Sequence, residues 1–202
     1  KALNERYGES NSVEEFAFKS QVSNYELMRP MFEAFVAHKP KSTGLIQWML
    51  NSAWPELYWQ LYDTYLQPNG SFYAVRKACN PLHAIYRYGF DDIFIANEDL
   101  LDAENITVKI KVFDINSNEI FADEWNGSVK TNISKPIYEI PEIKNLTSVY
   151  FLDLRVFDKD NNEVDNSIYW LSTKKDEIDW EAAKKLPWPF YSPSKQYADF
   201  TA

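Results

Sequence analysis

From His83 onward apolar residues recur at every second position, and this change of period constrains the chain more than any other feature. Ile106, Val108, Ile110 and Val112 alternate with Thr107, Lys109, Lys111 and Phe113. Tyr150, Leu152, Leu154 and Val156 alternate in the same way with Phe151, Asp153, Arg155 and Phe157. Successive side chains of a strand point to opposite faces, so this alternation predicts half-buried strands. Shorter strand candidates lie at 83–88, 93–97, 119–128, 136–140 and 167–172, separated by Asx-rich turns at 116–118 and 158–162. A series of short strands over about 90 residues predicts an immunoglobulin-like sandwich. Cys79 is the sole cysteine, so no disulfide can cross that sandwich and apolar residues must fill it. Trp125 and Trp170 are candidates for its centre.

Before Pro81 the period is helical. Residues 1–11 are polar and read as a loop. Ser12 with Glu15 forms a capping box, and Phe18, Val22, Tyr25, Met28, Phe32 and Phe35 follow at steps of three or four, predicting a helix over 13–38 with a kink ahead of Pro30. The apolar run 45–50 after Gly44 reads as a buried strand. Pro55 suits the first turn of a helix over 56–66. Ser71 is placed to cap a short helix that runs to Cys79, where a buried, inert thiol is expected. Beyond Thr173 the alternation is lost, and Ile178, Trp180, Leu186, Trp188, Phe190 and Tyr191 lie among prolines as in an extended segment docked on a surface.

The formal net charge is −9, which repels a phosphate backbone and excludes nucleic acid as a natural partner. The same field attracts a cationic sugar polymer. No run approaches the roughly 18 apolar residues of a membrane span, and no signal peptide is visible. The chain begins at Lys1, as a piece of a longer polypeptide would.

Aromatic residues make up 16% of the chain, and Trp54, Tyr58, Trp59, Tyr62 and Tyr65 crowd into a dozen positions. That density suits a surface that stacks on flat apolar ligands such as sugar rings. Three blocks in this region carry a resemblance: Trp48-Met49-Leu50-Asn51-Ser52-Ala53-Trp54-Pro55, then Trp59-Gln60-Leu61-Tyr62-Asp63, then Phe72-Tyr73-Ala74-Val75-Arg76-Lys77-Ala78-Cys79-Asn80-Pro81-Leu82-His83. In this order and spacing they resemble the end of the catalytic barrel of family 2 glycoside hydrolases, on the branch with exo-β-D-glucosaminidases and mannosylglycoprotein endo-β-mannosidases.

The resemblance implies an α+β chain. Residues 1–81 would be the last helix–strand–helix portion of a (β/α)8 TIM barrel, 82–173 an immunoglobulin-like β-sandwich, and 174–202 an extended tail leading to a further domain. It implies a fragment of a retaining β-glycosidase acting on β-linked glucosamine, whose two catalytic carboxylates lie outside this chain, and an isolated piece that is inactive. A β-mannosidase or endo-β-mannosidase fragment is the alternative; β-mannosidases tend to carry Asn-Asp where this chain has Asn51-Ser52. A non-catalytic carbohydrate-binding sandwich is a further alternative. The partners implied are the sugar and the remaining domains of the parent enzyme, in a secreted or periplasmic setting.

Trp48, at the carboxyl end of the final barrel strand, would stack on the sugar at the cleavage subsite. Asn51 would bond a sugar hydroxyl, and Trp54, with Trp59, would line the rim. Core packing remains the plainer role for each Trp, and loop-backbone bonding for Asn51. No cofactor is implied. Glu14-Glu15, Asp91-Asp92, Glu98-Asp99 and Asp158/Asp160 are carboxylate pairs in turns or helix starts, where capping or solvation is expected. The 158–162 loop lacks the Gly and closing Glu of a calcium loop, and His38 and His83 have no third ligand, so no metal site is expected. Asn69, Asn105, Asn126, Asn132 and Asn145 begin sequons that carry no further argument.

Overall fold

A computed structural model describes residues 1–56, 60–186 and 193–201. Its helical part is built on α2 (Val13–Ala37), which follows a short α1 (Ala2–Tyr7). Ser12 caps α2 by accepting from the Glu15 amide, while the Glu15 carboxylate reaches past the cap to the Asn11 amide at 2.8 Å. The helix continues through Pro30, and its inner face packs Met28 and Phe32 against Ala74 and Ala78 of α3 (Gly70–Ala78). The two helices meet closely at Gly70, where an added Cβ would lie 2.2 Å from the Gln21 carbonyl oxygen. Only glycine fits that crossing.

Seven strands follow: β1 (Leu82–Arg87), β2 (Asp92–Asn97), β3 (Ala103–Asp114), β4 (Glu119–Val129), β5 (Ile133–Glu139), β6 (Val149–Phe157) and β7 (Glu163–Ser172). They form two antiparallel sheets ordered β1-β2-β5 and β4-β3-β6-β7, an immunoglobulin-like sandwich. The alternation seen in sequence is the alternation seen in space: Ile106, Val108, Ile110 and Val112 lie beside Leu152, Leu154 and Val156 of the neighbouring strand, all on the core face of one sheet. The β3–β4 and β6–β7 hairpins close on the same turn. Asp114 Oδ1 accepts from the amides of Asn116 and Asn118, and Asp158 Oδ1 from those of Asp160 and Asn162, at 2.8–2.9 Å. Ser117 and Asn161 take the left-handed conformation that this turn requires.

The α+β class stands, with the helical segment ahead of the sandwich, but several local expectations are corrected. Residues 45–50 form no strand. They belong to no sheet; the Leu50 carbonyl accepts instead from the Leu61 and Tyr62 amides, and Asn51 makes a one-residue parallel bridge to Tyr62. An apolar run becomes a strand only beside a neighbour that shares its ladder. Residues 60–66 are not helical, because the Asp63 side chain accepts from the amides of Tyr65 and Gln67 and so offers the backbone a turn; 57–59, with Tyr58 and Trp59, lie outside the described residues. Residues 2–7 are helical rather than loop, because Arg6 and Tyr7 are anchored from outside the segment, as described below.

The cap of α3 is Asn69, not Ser71: Asn69 Oδ1 accepts from the amides of Ser71 and Phe72, and Ser71 is buried one residue into the helix. Neither Trp125 nor Trp170 occupies the sandwich centre. Trp125 packs half-buried at its margin, and Trp170 points away from the inward Tyr169 and stacks on Tyr25, with ring centroids 5.8 Å apart. Beyond β7 the chain forms a small ladder between β8 (Glu177–Ile178) and β9 (Ser194–Gln196), with α4 (Trp180–Ala183) between them. Its last turn docks back on the helical part. Phe200 stacks on Tyr7 at 5.4 Å, and its amide donates to the Arg6 carbonyl. Trp188, Phe190 and Tyr191 lie outside the described residues.

Candidate functional site

The segment between α2 and α3 is held by Leu45, which packs on the α2–α3 core, and by the buried Leu61, and it leaves several large apolar groups exposed. Trp48 is 75% exposed, Trp54 65% and Ile46 90%. Asn51 is half-buried, and its amide donates to the Ser52 carbonyl at 3.2 Å. Ser52 in turn donates to the buried Gln60 side chain, whose backbone carbonyl accepts from Asn69 Nδ2 at 2.5 Å. Asn69 therefore both caps α3 and ties down the loop ahead of it. Asn69→Ala is expected to cost about 1–2 kcal/mol, read as a lower urea midpoint with an unchanged slope.

A cleft of about 900 Å³ runs between this loop and the first half of α2, lined among others by Phe16, Gln21, Gln60, Tyr62 and Tyr65. Trp48, Asn51 and Trp54 are not among its lining residues, so the three predicted contacts do not converge on that cleft. Trp48 and Trp54 are exposed elsewhere on the loop. Phe16, Leu27, Met31 and Phe35 are exposed along one side of α2, and Met49 and Leu50 of the loop are exposed as well. Large apolar side chains left exposed in such number suit an interaction surface.

A second cluster is absent from the sequence reading and joins the helical part to the sandwich. His83 on β1 is fully buried between two carboxylates: Nδ1 lies 2.8 Å from Asp165 on β7, and Nε2 lies 3.0 Å from Glu33 on α2. Burial alone would push the imidazole pKa down, but hydrogen bonds and charge from Asp165 and Glu33 outweigh it and lift the value to about 9. Asp165 also accepts from Lys77, Asn80 and the Ala84 amide; burial pushes its pKa up, but His83 above all, with Lys77 and Asn80, holds it below the usual carboxylate range.

Glu33 accepts from Tyr169 at 2.9 Å and lies 3.7 Å from Arg29, whose guanidinium sits 3.8 Å over the Tyr169 ring. Arg6 and Tyr7 clamp Glu26 in the same way two turns earlier, and Arg6 reaches Asp176 beyond β7. An imidazole with both nitrogens engaged and no exposure cannot pass a proton to a substrate, so this cluster is a tie rather than a catalytic centre. Its sequence signal was the polar series Asp165, Ser167 and Tyr169 at inward positions of a strand.

The remaining polar candidates serve local structure. Glu15 pairs with Lys19, Asp92 with Arg87 and Glu98 with Lys39, and Asp158 closes its hairpin. Asp91 is the exception and returns below. No group of three or more His, Cys, Asp or Glu side chains able to hold a metal occurs among the described residues. Cys79 is exposed rather than buried, because it is the C-cap of α3; partial burial and the charge of Glu98 push its thiol pKa up.

Comparison with known proteins places this architecture. Residues 92–176 match the Mannosidase Ig/CBM-like domain. The exo-β-D-glucosaminidase of Amycolatopsis orientalis is 33% identical over 99% of this chain, and that of Hypocrea jecorina 31% over 97%. The chain spans about a fifth of the length of these relatives, 20% and 22% respectively. The mannosylglycoprotein endo-β-mannosidase of Lilium longiflorum is 26% identical over 82% of the chain and 18% of its own length. The crystal structure of the A. orientalis exo-chitosanase superposes over 98% of this chain and 24% of that one, with a TM-score of 0.91 at 32% identity. A β-D-mannosidase from Dictyoglomus thermophilum shares the fold over 84% of this chain and 21% of its own, with a TM-score of 0.73 at 15% identity. Helical segment, aromatic loop and sandwich thus occur together in known glycosidases, and this chain resembles the corresponding part of family 2 glycoside hydrolases of the exo-β-D-glucosaminidase kind.

Proposed function

We propose that this chain is the part of a retaining exo-β-D-glucosaminidase that carries one wall of the substrate pocket and joins it to an immunoglobulin-like domain. Trp48 stacks on the sugar at the cleavage subsite, Asn51 bonds one of its hydroxyls and Trp54 lines the rim. The carboxyl pair that retention requires, roughly 5 Å apart, stands elsewhere in the polypeptide. The observation that carries this reading is the exposed apolar surface of α2 and the Trp48 loop, which a packed barrel would cover. The relatives' glucosaminidase names and the net charge of −9, which draws in a cationic polymer, support the substrate.

The test is hydrolysis of p-nitrophenyl-β-D-glucosaminide, with the product anomer followed by NMR. A polypeptide that includes this chain and the barrel cleaves it with retention, and the 202 residues alone do not. Turnover by the 202 residues, or inversion, rejects the proposal. A β-mannoside is the second reading, favoured by the Mannosidase Ig/CBM-like match and the lily relative; faster cleavage of the mannoside would select it.

A further inference from the structure

The two sheets of the sandwich part at one pole, where β1, β3 and β7 end and β6 begins, and leave a cavity of about 490 Å³. Its floor is core: Val112, Leu152, Leu171 and Tyr86 are all nearly fully buried yet line it. Ile143 and Leu146, from the connection between β5 and β6, form an apolar wall. Polar groups line it as well. Asp91 is held there in the left-handed conformation (φ 54°), with its carbonyl accepting from the Ile140 amide at 2.9 Å. Its two carboxylate oxygens accept from Tyr86 Oη and from Lys175 Nζ, each at 2.6 Å.

Tyr150 lines the same cavity half-buried, and its hydroxyl has no hydrogen-bond partner among the described residues. Burial and the nearby Asp91 charge push its pKa up to about 12, so it remains a donor at neutral pH. Glu142 adds a second carboxylate at the mouth. A concave apolar floor with a few convergent donors and acceptors is the form of a small-molecule site, and its volume lies in the range such sites occupy. A pyranose presents the complementary surface: C–H faces for the aliphatic wall and the phenol ring, and hydroxyls for the carboxylate, the ammonium and the free phenol.

We propose that this pole is a sugar-binding site separate from the Trp48 surface, taking one pyranose unit of an oligosaccharide against Tyr150, Asp91 and Lys175. It uses no residue of the pocket wall proposed above, so the two stand or fall separately. The sandwich and its pole lie wholly within these 202 residues, and the site is therefore testable in this chain. The probes are a β-1,4-linked glucosamine trisaccharide and cellotriose, titrated calorimetrically and by NMR against the wild type and the Tyr150→Phe, Lys175→Met and Leu100→Ala variants.

The expected result is saturable binding of at least one sugar. Tyr150→Phe and Lys175→Met each weaken it about tenfold, as loss of one hydrogen bond would, and Leu100→Ala, an exposed position ahead of the far end of β3, leaves it unchanged. Both pole variants are conservative and keep the fold, as an unchanged melting temperature would verify. Absence of binding of either sugar to the folded chain overturns the proposal. So does binding indifferent to Tyr150→Phe and Lys175→Met, or binding abolished by Leu100→Ala.

Discussion

Replacing Asp165 with alanine is expected to destabilise the chain by roughly 4 kcal/mol, the scale for breaking a buried charge pair by removing one partner. Four donors converge on this one carboxylate: His83 at 2.8 Å, Asn80 at 2.7 Å, Lys77 at 3.2 Å and the Ala84 amide at 3.2 Å. Without it a cationic imidazole stays buried beside Arg29 with only Glu33 to balance both. For a chain of this size the loss corresponds to a fall of about 10 °C in melting temperature by circular dichroism. A change within 2 °C, about what a surface substitution gives, would show that the cluster contributes nothing net.

The same cluster sets a pH window. The folded pKa of His83, about 9, lies above its ordinary value of 6.5, so its contribution is complete below 6.5 and is lost as pH rises towards 9. Asp165 is depressed below 3.8, so its contribution is present above that value and disappears on acidification below it. Stability from this tie is therefore greatest between the two limits. His83→Gln should flatten the alkaline decline of the melting temperature, and a decline of unchanged steepness would assign it to other groups.

In a polypeptide that includes the barrel, Trp48→Ala should lower kcat/KM for p-nitrophenyl-β-D-glucosaminide about 100-fold, on the order of 3 kcal/mol of transition-state stabilisation. The indole is 75% exposed here, so its removal takes little packing from this chain, and the 202-residue melting temperature should hardly move. That contrast separates a ligand contact from a core residue. A kcat/KM within threefold of wild type would remove Trp48 from the site.

The sandwich was legible because each strand buries one face: the inward series of β3 and β6 could be read at period 2, and the Asx turns at Asp114 and Asp158 marked their hairpins. The N-terminus of α2 was legible in Ser12 and Glu15 for the same local reason. What escaped was settled at long range. Residues 45–50 have the composition of a strand but no neighbour to pair with. Glu33 looked like an ordinary polar residue of an amphipathic helix, because its partner His83 lies 50 positions away, and His83 meets Asp165 across 82 more. The aromatic run was visible as composition, yet which rings face outward depends on Leu45 and Asn69 holding the loop.

A joint made of charges behaves differently from one made of greasy side chains. Apolar surfaces can slip past one another with little change in contact, whereas a slide of α2 by one turn would carry Glu33 off His83 and leave both ions stranded in a dry interior. The aromatic loop is thereby locked at a fixed angle to the β-domain, like a tool brazed to its handle. Any opening and closing motion of a larger assembly would have to hinge somewhere other than this seam.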